Sequence, residues 1–480
     1  MNKKYLLLFI FLNSILAQKI IYSYPHKVLL NDDLSKSSSL RPYVQNAKKG
    51  FSVNYNSQYS YSSSPNLDNY GNKFSLNGNN SFASLRIEYV GKNLLFLLEP
   101  YSLTKDNRSN KIFFRGGRYT FTNEVSNLQS KPYSDLGIRE SMFFLHHNFF
   151  GIGISNLNQW IGPGIHNSLT MSSNTKGFNH LFIGSLKEKS ITKSISYESR
   201  YTFSKISDRE GGVFLTNLVL AFSLNSDIRY KFGIVRDFLS GGKKSANGKS
   251  ISQEDAMQLV FGPLFSDSKR SLDYTTNWGF EPWDQVLTGF FEFYPNKNTS
   301  FYIELGTGDH RKNFSDLLAH WDHNLAYIIG FRSNPLINTA IQKKLLIGLE
   351  YTSLTGSSNT RKFRASGPWF DNWWYDYNSY EGRRWSAHSG SDSDDLSFHL
   401  GIKNPNNSII VFIAQERKGL ILEEYPELKK EYSIQLSKKI NNSINLFTYI
   451  EREDHINYCF INGEYKSDYC ISMSFEYSIR

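Results

Sequence analysis

The chain has 480 residues, a formal charge of +10 and a mean hydropathy of −0.44, and it is rich in aromatics (15%, with 30 Tyr and 36 Phe) but holds only 2 Cys. Past the first residues no apolar run is long enough for a membrane helix, and the Lys and Arg are dispersed rather than gathered into a nucleic-acid-binding patch. What remains is an aromatic-rich β protein, either an outer-membrane barrel, whose polar lumen keeps mean hydropathy low, or a large soluble propeller or sandwich.

Lys3 and Lys4 precede the apolar run Tyr5 to Leu16, which ends at Ala17. Those are the charged, apolar and small-residue zones of a secretory signal, so residues 1–17 are expected to be removed. The run is shorter than the roughly 20 residues a spanning helix needs, and no Cys follows it to carry a lipid. Residues 18–49 are polar and without period, and read as a short periplasmic lead-in.

From Gly50 the chain alternates. Phe51, Val53, Tyr55, Tyr59 and Tyr61 share one face and Ser52, Asn54, Asn56, Gln58 and Ser60 the other, as in a strand with one wet side. The pattern recurs at residues 83–89, 195–203, 301–305 and 473–479, with charged residues such as Glu88, Arg200 and Glu304 on the polar face. In a barrel that face is the lumen. Residues 50–480 therefore form the expected barrel, and about 24 residues per strand and its connections gives an even count near 18.

Within this pattern Asn158 to Asn174 stands out. Pro163 lacks an N–H and two glycines flank it, so Gln159-Trp160-Ile161-Gly162-Pro163-Gly164 reads as a tight, shaped loop. With Trp160, His166, Asn167 and Ser168 it suits sugar recognition, where rings stack and hydroxyls are hydrogen-bonded; the other reading is a strand-closing turn over a buried Trp. Short turn clusters at Pro295 to Asn298, Pro405 to Asn407 and Asn441 to Ser443 alternate with long irregular stretches such as Ser240 to Ser252 and Ser353 to Ser397, the asymmetry of an outer-membrane barrel. The one helical candidate lies near Ser315 to His323.

Trp369 to Tyr377 concentrates six aromatics with two Asp. It either packs loops into the barrel mouth or offers stacking platforms, with Arg383 and Arg384 placed to pair acidic sugars. His388 to Asp395 holds a His, several Ser and three carboxylates. It reads as a solvated acidic loop, without EF-hand spacing and without the geometry of a nucleophile and base. No His-Glu-x-x-His, Gly-x-Ser-x-Gly or P-loop is present. Cys459 and Cys470 flank a hairpin signal at Asn462-Gly463, so export allows a disulfide if the loop is wider than a two-residue turn. The chain finishes on Arg480, not on the aromatic residue frequent in barrel chains, which weighs against a bacterial barrel.

These motifs carry a resemblance. Gln159-Trp160-x-Gly162-Pro163-Gly164, then Ser168-Leu169, then Ser172-x-Asn174 is similar to the signature of the Wzi family of capsule assembly proteins, which reads WWGPG, then SL, then S-x-N. Tyr375 to Asp394 and Tyr302 to Asp309 look like that family's later motifs, in the same order. The resemblance implies a monomeric transmembrane antiparallel β-barrel of the outer membrane, about eighteen strands, with its lumen occluded by loops. It further implies a lectin-like function without cofactor or metal, in which capsular or extracellular polysaccharide is bound and organised, with outer-membrane lipids around the barrel. Candidate binding residues are Trp160, His166, Asn167, Trp373, Tyr377, Arg383, Arg384 and His388. Ile161 replaces the usual second Trp, and the lead-in is too short for a periplasmic helical bundle. A porin or transporter of the same architecture, and an outer-membrane hydrolase acting on lipid or glycan, are the alternatives.

Overall fold

A computed structural model describes residues 19–21, 28–31, 33–36, 39–45, 49–64, 68–108, 132–206, 213–226, 228–241, 283–308, 325–355, 369, 378–381 and 383–479. The alternating segments form one closed antiparallel barrel. Its eighteen strands are β1 (Gly50–Ser62), β2 (Gly78–Val90), β3 (Leu94–Lys105), β4 (Tyr133–His147), β5 (Phe150–Ser155), β6 (His180–Ser185), β7 (Ile195–Ile206), β8 (Val213–Asn225), β9 (Arg229–Gly241), β10 (Trp283–Asn296), β11 (Thr299–Gly308), β12 (Leu325–Ser333), β13 (Lys343–Ser353), β14 (Ser393–Lys403), β15 (Asn407–Lys418), β16 (Glu427–Lys439), β17 (Ile444–Ile456) and β18 (Tyr465–Ile479). Two short pieces, Lys189–Ser190 and Leu336–Asn338, pair with β7 and β13 and are not counted. β18 closes on β1, from Cys470 opposite Ser62 to Ile479 opposite Val53. Closure uses backbone groups, so the terminal side chain does not decide it, and Arg480 is no obstacle.

The period of two sorts the side chains. In β15 Ile409, Val411 and Ile413 are exposed while Ile410, Phe412 and Ala414 are buried, and in β11 Phe301 and Leu305 face out while Tyr302 and Glu304 face in. The outward set is the lipid face of an outer-membrane barrel, where every backbone N–H and C=O is satisfied within the sheet. The turn clusters all fall at one rim, which the chain crosses in short connections at residues 91–93, 148–149, 226–228, 297–298, 404–406 and 440–443. The other rim carries the long connections, including 63–77, 106–132, 156–179, 242–282 and 354–392. In outer-membrane barrels short turns are periplasmic and long loops extracellular.

The lead-in does not hang free. Leu29 and Leu34 are buried, Leu34 N–H donates to Lys297 O (2.8 Å) and Val44 N–H to Leu186 O (2.7 Å), both acceptors lying in turns of the short-turn rim. Asn334 and Lys403 reach the Asn31 and Leu30 carbonyls. The first residues before β1 thus close the periplasmic end.

Two expectations need correction. The two cysteines are not bridged: the loop after β17 is wide, Lys466 opposes His455, and Cys470 sits opposite Glu451 inside the barrel with its Sγ 3.9 Å from Ser75 Oγ, whereas Cys459 stays in the loop. The cluster around Asp392, Asp394 and Asp395 is buried, not solvated, because Asp392 accepts the Ile421 and Leu422 N–H groups and Asp394 pairs with Arg417. The helical candidate, the signal segment, Trp373 and Tyr377 lie outside the described residues.

Candidate functional site

Residues 156–179 leave β5 at the extracellular rim and run into the lumen. Trp160 and Ile161 form a two-residue ladder with Arg41 and Leu40 of the lead-in, so the loop and the lead-in meet inside the barrel. The Arg41 guanidinium lies 4.5 Å from the Trp160 ring centroid and donates to Gly164 O at 2.8 Å. Trp160 is fully buried.

The Gly-Pro-Gly step exists because the backbone must press against the wall. Gly162 has φ +115°, and a Cβ there would stand 2.5 Å from Glu304 Oε2; a Cβ on Gly164 would stand 2.0 Å from Asn167 O. Just beyond it, one wall carboxylate collects three backbone donors. Ile165 N–H (2.6 Å), His166 N–H (3.2 Å) and Asn167 N–H (2.6 Å) all point to Glu350 of β13, and Tyr302 OH of β11 donates to it at 2.8 Å. Arg332 of β12 donates to Pro163 O (3.1 Å) and to Glu292 (2.6 Å). Loop backbone is tolerable at membrane depth only where wall groups satisfy it in this way.

The loop between β13 and β14 descends beside it. Ser172 N–H donates to Trp385 O (2.6 Å) and its Oγ to Ser386 O (2.5 Å), while Asn174 Nδ2 donates to Arg384 O (3.0 Å). Arg383 returns two bonds to Asn174, at 2.9 and 3.0 Å, and pairs with Asp68 at 3.2 Å. Trp369 Nε1–H donates to Leu169 O (3.3 Å). Leu169, Ser172 and Asn174 of the signature are therefore staples between two loops 200 or more residues apart, whereas Ser168 bonds within its own loop to Ile161 O.

At the bottom of the junction His166, His388 and Asp395 converge. His166 Nε2 is 3.1 Å and His388 Nε2 3.5 Å from the same Asp395 Oδ2, and the two rings cross at 74°. Burial opposes a charge on His166, but the Asp395 carboxylate outweighs it and raises that imidazole to about 9. Burial and the neighbouring His166 push His388 down to about 4. Ser391 and Ser393 spend their hydroxyls on the Trp369 and Gly390 carbonyls, so neither is poised as a nucleophile.

The structure thus brings Trp160, His166, Asn167, Arg383, Arg384 and His388 together, and buries all six. Of the two readings of the Trp160 loop, the buried Trp describes the geometry. Glu350, Arg332, Arg41 and Asn69 were not recognised from sequence as members of the site, their only signal being a polar residue in the lumen phase of a strand, or none; Tyr302 and Glu304 fall in the motif Tyr302 to Asp309 but were not read as site residues. Closer to the extracellular rim, Asn158, Gln159, Lys176, Phe178, His180 and Trp385 line a small cleft with room for about one water. Lys176 is partly exposed there, beside Glu381.

No family model matches the chain, and no curated protein matches it. Among solved structures it is similar to Wzi, an Escherichia coli outer-membrane protein involved in group 1 capsule assembly and a carbohydrate-binding β-barrel, with TM-score 0.62 and 11% identity over 95% of this chain and 99% of that one. OccAB3 and OccAB4 of Acinetobacter baumannii match with TM-scores of 0.44 and 0.43, at 9% and 10% identity, over 89% and 91% of this chain and 99% and 100% of theirs. At such identities the likeness to the first is one of fold.

Proposed function

We propose that this outer-membrane barrel binds a capsular or extracellular polysaccharide at its outer rim and organises it on the cell surface, with no bond-breaking step and no passage of solutes. The observation that carries this reading is the plug: a lumen crossed by two loops and the lead-in, pinned to wall carboxylates, suits a binding platform and not a diffusion pore. The fold shared with a carbohydrate-binding barrel supports it, and the charge of +10 favours an anionic glycan.

The glycan's anchoring point in this reading is the cleft above Trp160. Gln159 Oε1 is buried with no hydrogen-bond donor among the described residues, which suits a sugar hydroxyl. Lys176, paired with Glu381 at the cleft's edge, is the cation an acidic sugar would meet in place of that carboxylate, and Phe178 and Trp385 give apolar lining. Trp373 and Tyr377, which lie outside the described residues, are proposed as further stacking residues. The buried Trp160, His166, Asn167, Arg383, Arg384 and His388 act as positioning residues that hold these loops.

Binding of fluorescently labelled surface polysaccharide to the purified barrel tests the proposal. Gln159→Ala and Lys176→Ala should each weaken binding about tenfold, as the loss of one hydrogen bond to a charged or polar sugar group implies, with heat-modifiable migration unchanged. Wild-type affinity in the double variant would discard the cleft, and persistent open-channel conductance of the wild type in a planar bilayer would favour the porin.

A further inference from the structure

We propose that His166, His388 and Asp395 form a site for one divalent first-row metal ion of the Zn²⁺ kind, which clamps both plug loops to the barrel wall. This inference does not depend on the glycan reading. His166 comes from the loop after β5, His388 from the loop after β13 and Asp395 from β14, which follows that loop, so a single ion joins the first loop to the second and to the wall strand behind it.

The spacing is that of a metal site. The ligand atoms all lie within 4.8 Å of one another, and both imidazole Nε2 atoms approach one carboxylate oxygen, at 3.1 and 3.5 Å. Zinc bonds nitrogen and oxygen at about 2.0–2.2 Å, and a tetrahedron with such bonds has edges of about 3.3–3.6 Å. The His388 edge, 3.5 Å, falls in that range, and the His166 edge, 3.1 Å, is a few tenths of an ångström short of it. Two imidazoles and one carboxylate are a common donor set for this class of ion, and they leave a fourth position for water.

Two buried acceptors point to a cation independently of the spacing. Asp395 Oδ1 and Asn167 Oδ1 have no hydrogen-bond donor among the described residues, although Asp395 and Asn167 are 2% and 0% exposed. Leaving such oxygens unmet is costly, and a positive ion held at the Asp395 carboxylate offsets part of that cost. The outer contacts that orient ligands are also present. Asn167 Nδ2 donates to Asp395 Oδ2 at 2.8 Å, and the Asn69 amide lies 3.3 Å from His388 Nδ1 while it also holds the His166 carbonyl at 3.0 Å.

A neighbouring acidic trio shows the contrast. Asp68, Glu431 and Glu453 also converge, but they already surround a cation of the chain itself, Lys429 Nζ, at 3.1, 3.8 and 3.3 Å. The His166 site holds no Lys or Arg in that place.

The test uses the full-length barrel, folded in detergent and checked by heat-modifiable migration, stripped with EDTA and then given Zn²⁺ or Co²⁺. Elemental analysis after desalting should find one metal per chain, Co²⁺ should give the visible bands of low-coordinate nitrogen and oxygen ligation, and the unfolding temperature should rise on loading. Asn69→Ala should weaken affinity about tenfold as an outer-contact change, and His388→Gln or Asp395→Asn by more than the roughly 100-fold upper range of such changes. A folded wild type that takes up neither ion, or both ligand variants retaining wild-type uptake, overturns the site. Where the variants fail to fold, the Co²⁺ spectrum of the wild type decides alone.

Discussion

Glu350 is the residue on which the plug turns. Its carboxylate accepts three consecutive backbone N–H groups of the loop and the Tyr302 hydroxyl, in a lumen where water does not replace them. Each buried donor left unmet costs about 1–3 kcal/mol, so Glu350→Ala should cost the seated loop several kcal/mol in all. The barrel wall does not share that cost, since ladder hydrogen bonds are made by backbone. The variant is therefore expected to stay heat-modifiable while its planar-bilayer recordings show frequent openings, and Glu350→Gln, which keeps one acceptor oxygen, should open less often. Silent recordings from Glu350→Ala would show that Glu304, Arg332 and the loop-to-loop bonds suffice. Ile161, close by, is buried opposite Leu40 in a core cluster with Met171 and Trp385.

At the scale of elements, the strands were legible because a period of two shows in any short window, and the turns because Pro, Asn and Gly mark them. Ile409, Val411 and Ile413 of β15 alternate with buried neighbours as a lipid-facing row must. Val411→Arg, near the middle of that strand, should destabilise the barrel by about 2–4 kcal/mol, read as a shifted urea midpoint of the heat-modifiable form; an unchanged midpoint would mean that this face does not meet lipid. The plug was legible only as a motif. Trp160 carries the same residues around it whether it stacks on a sugar or lies buried, and what decides between them is Glu350, 185 residues beyond Ile165, and Arg41, 123 residues before Gly164. The acidic stretch after His388 misled for the same reason. Its solvent was replaced by Arg417 and by the backbone of residues 421–422, which no local pattern announces. The disulfide failed on register, since only the pairing of β17 with β18 shows that Cys470 lies beside Glu451.

The whole molecule is a tube stoppered from both ends. Long loops enter from the extracellular rim, and residues 28–44 enter from the periplasmic side and meet them at the Arg41–Trp160 ladder. Both halves hold to the wall. The loops are tied to Glu350, Glu304, Arg332 and Asp395, and the lead-in to Glu292 through Ser39 Oγ, to Arg200 through Pro42 O at 2.9 Å, to turn backbones at Lys297 and Leu186, and to the loops themselves. None of these lead-in contacts takes part in barrel closure, which is made by β18 against β1. Deleting residues 28–44 should therefore leave an eighteen-stranded, heat-modifiable barrel with the β-rich circular dichroism of the full chain. The deletion also exposes the inner face of Ile161 and Trp160, and burial of side chains of that size is worth about 1.5–3 kcal/mol each, enough to let the loop leave its seat part of the time. Planar-bilayer recordings of the deleted protein should then show stepwise openings that the full chain lacks. A deleted protein as silent as the full chain would mean that the wall holds the plug unaided and that the lead-in has some other task at the periplasmic rim.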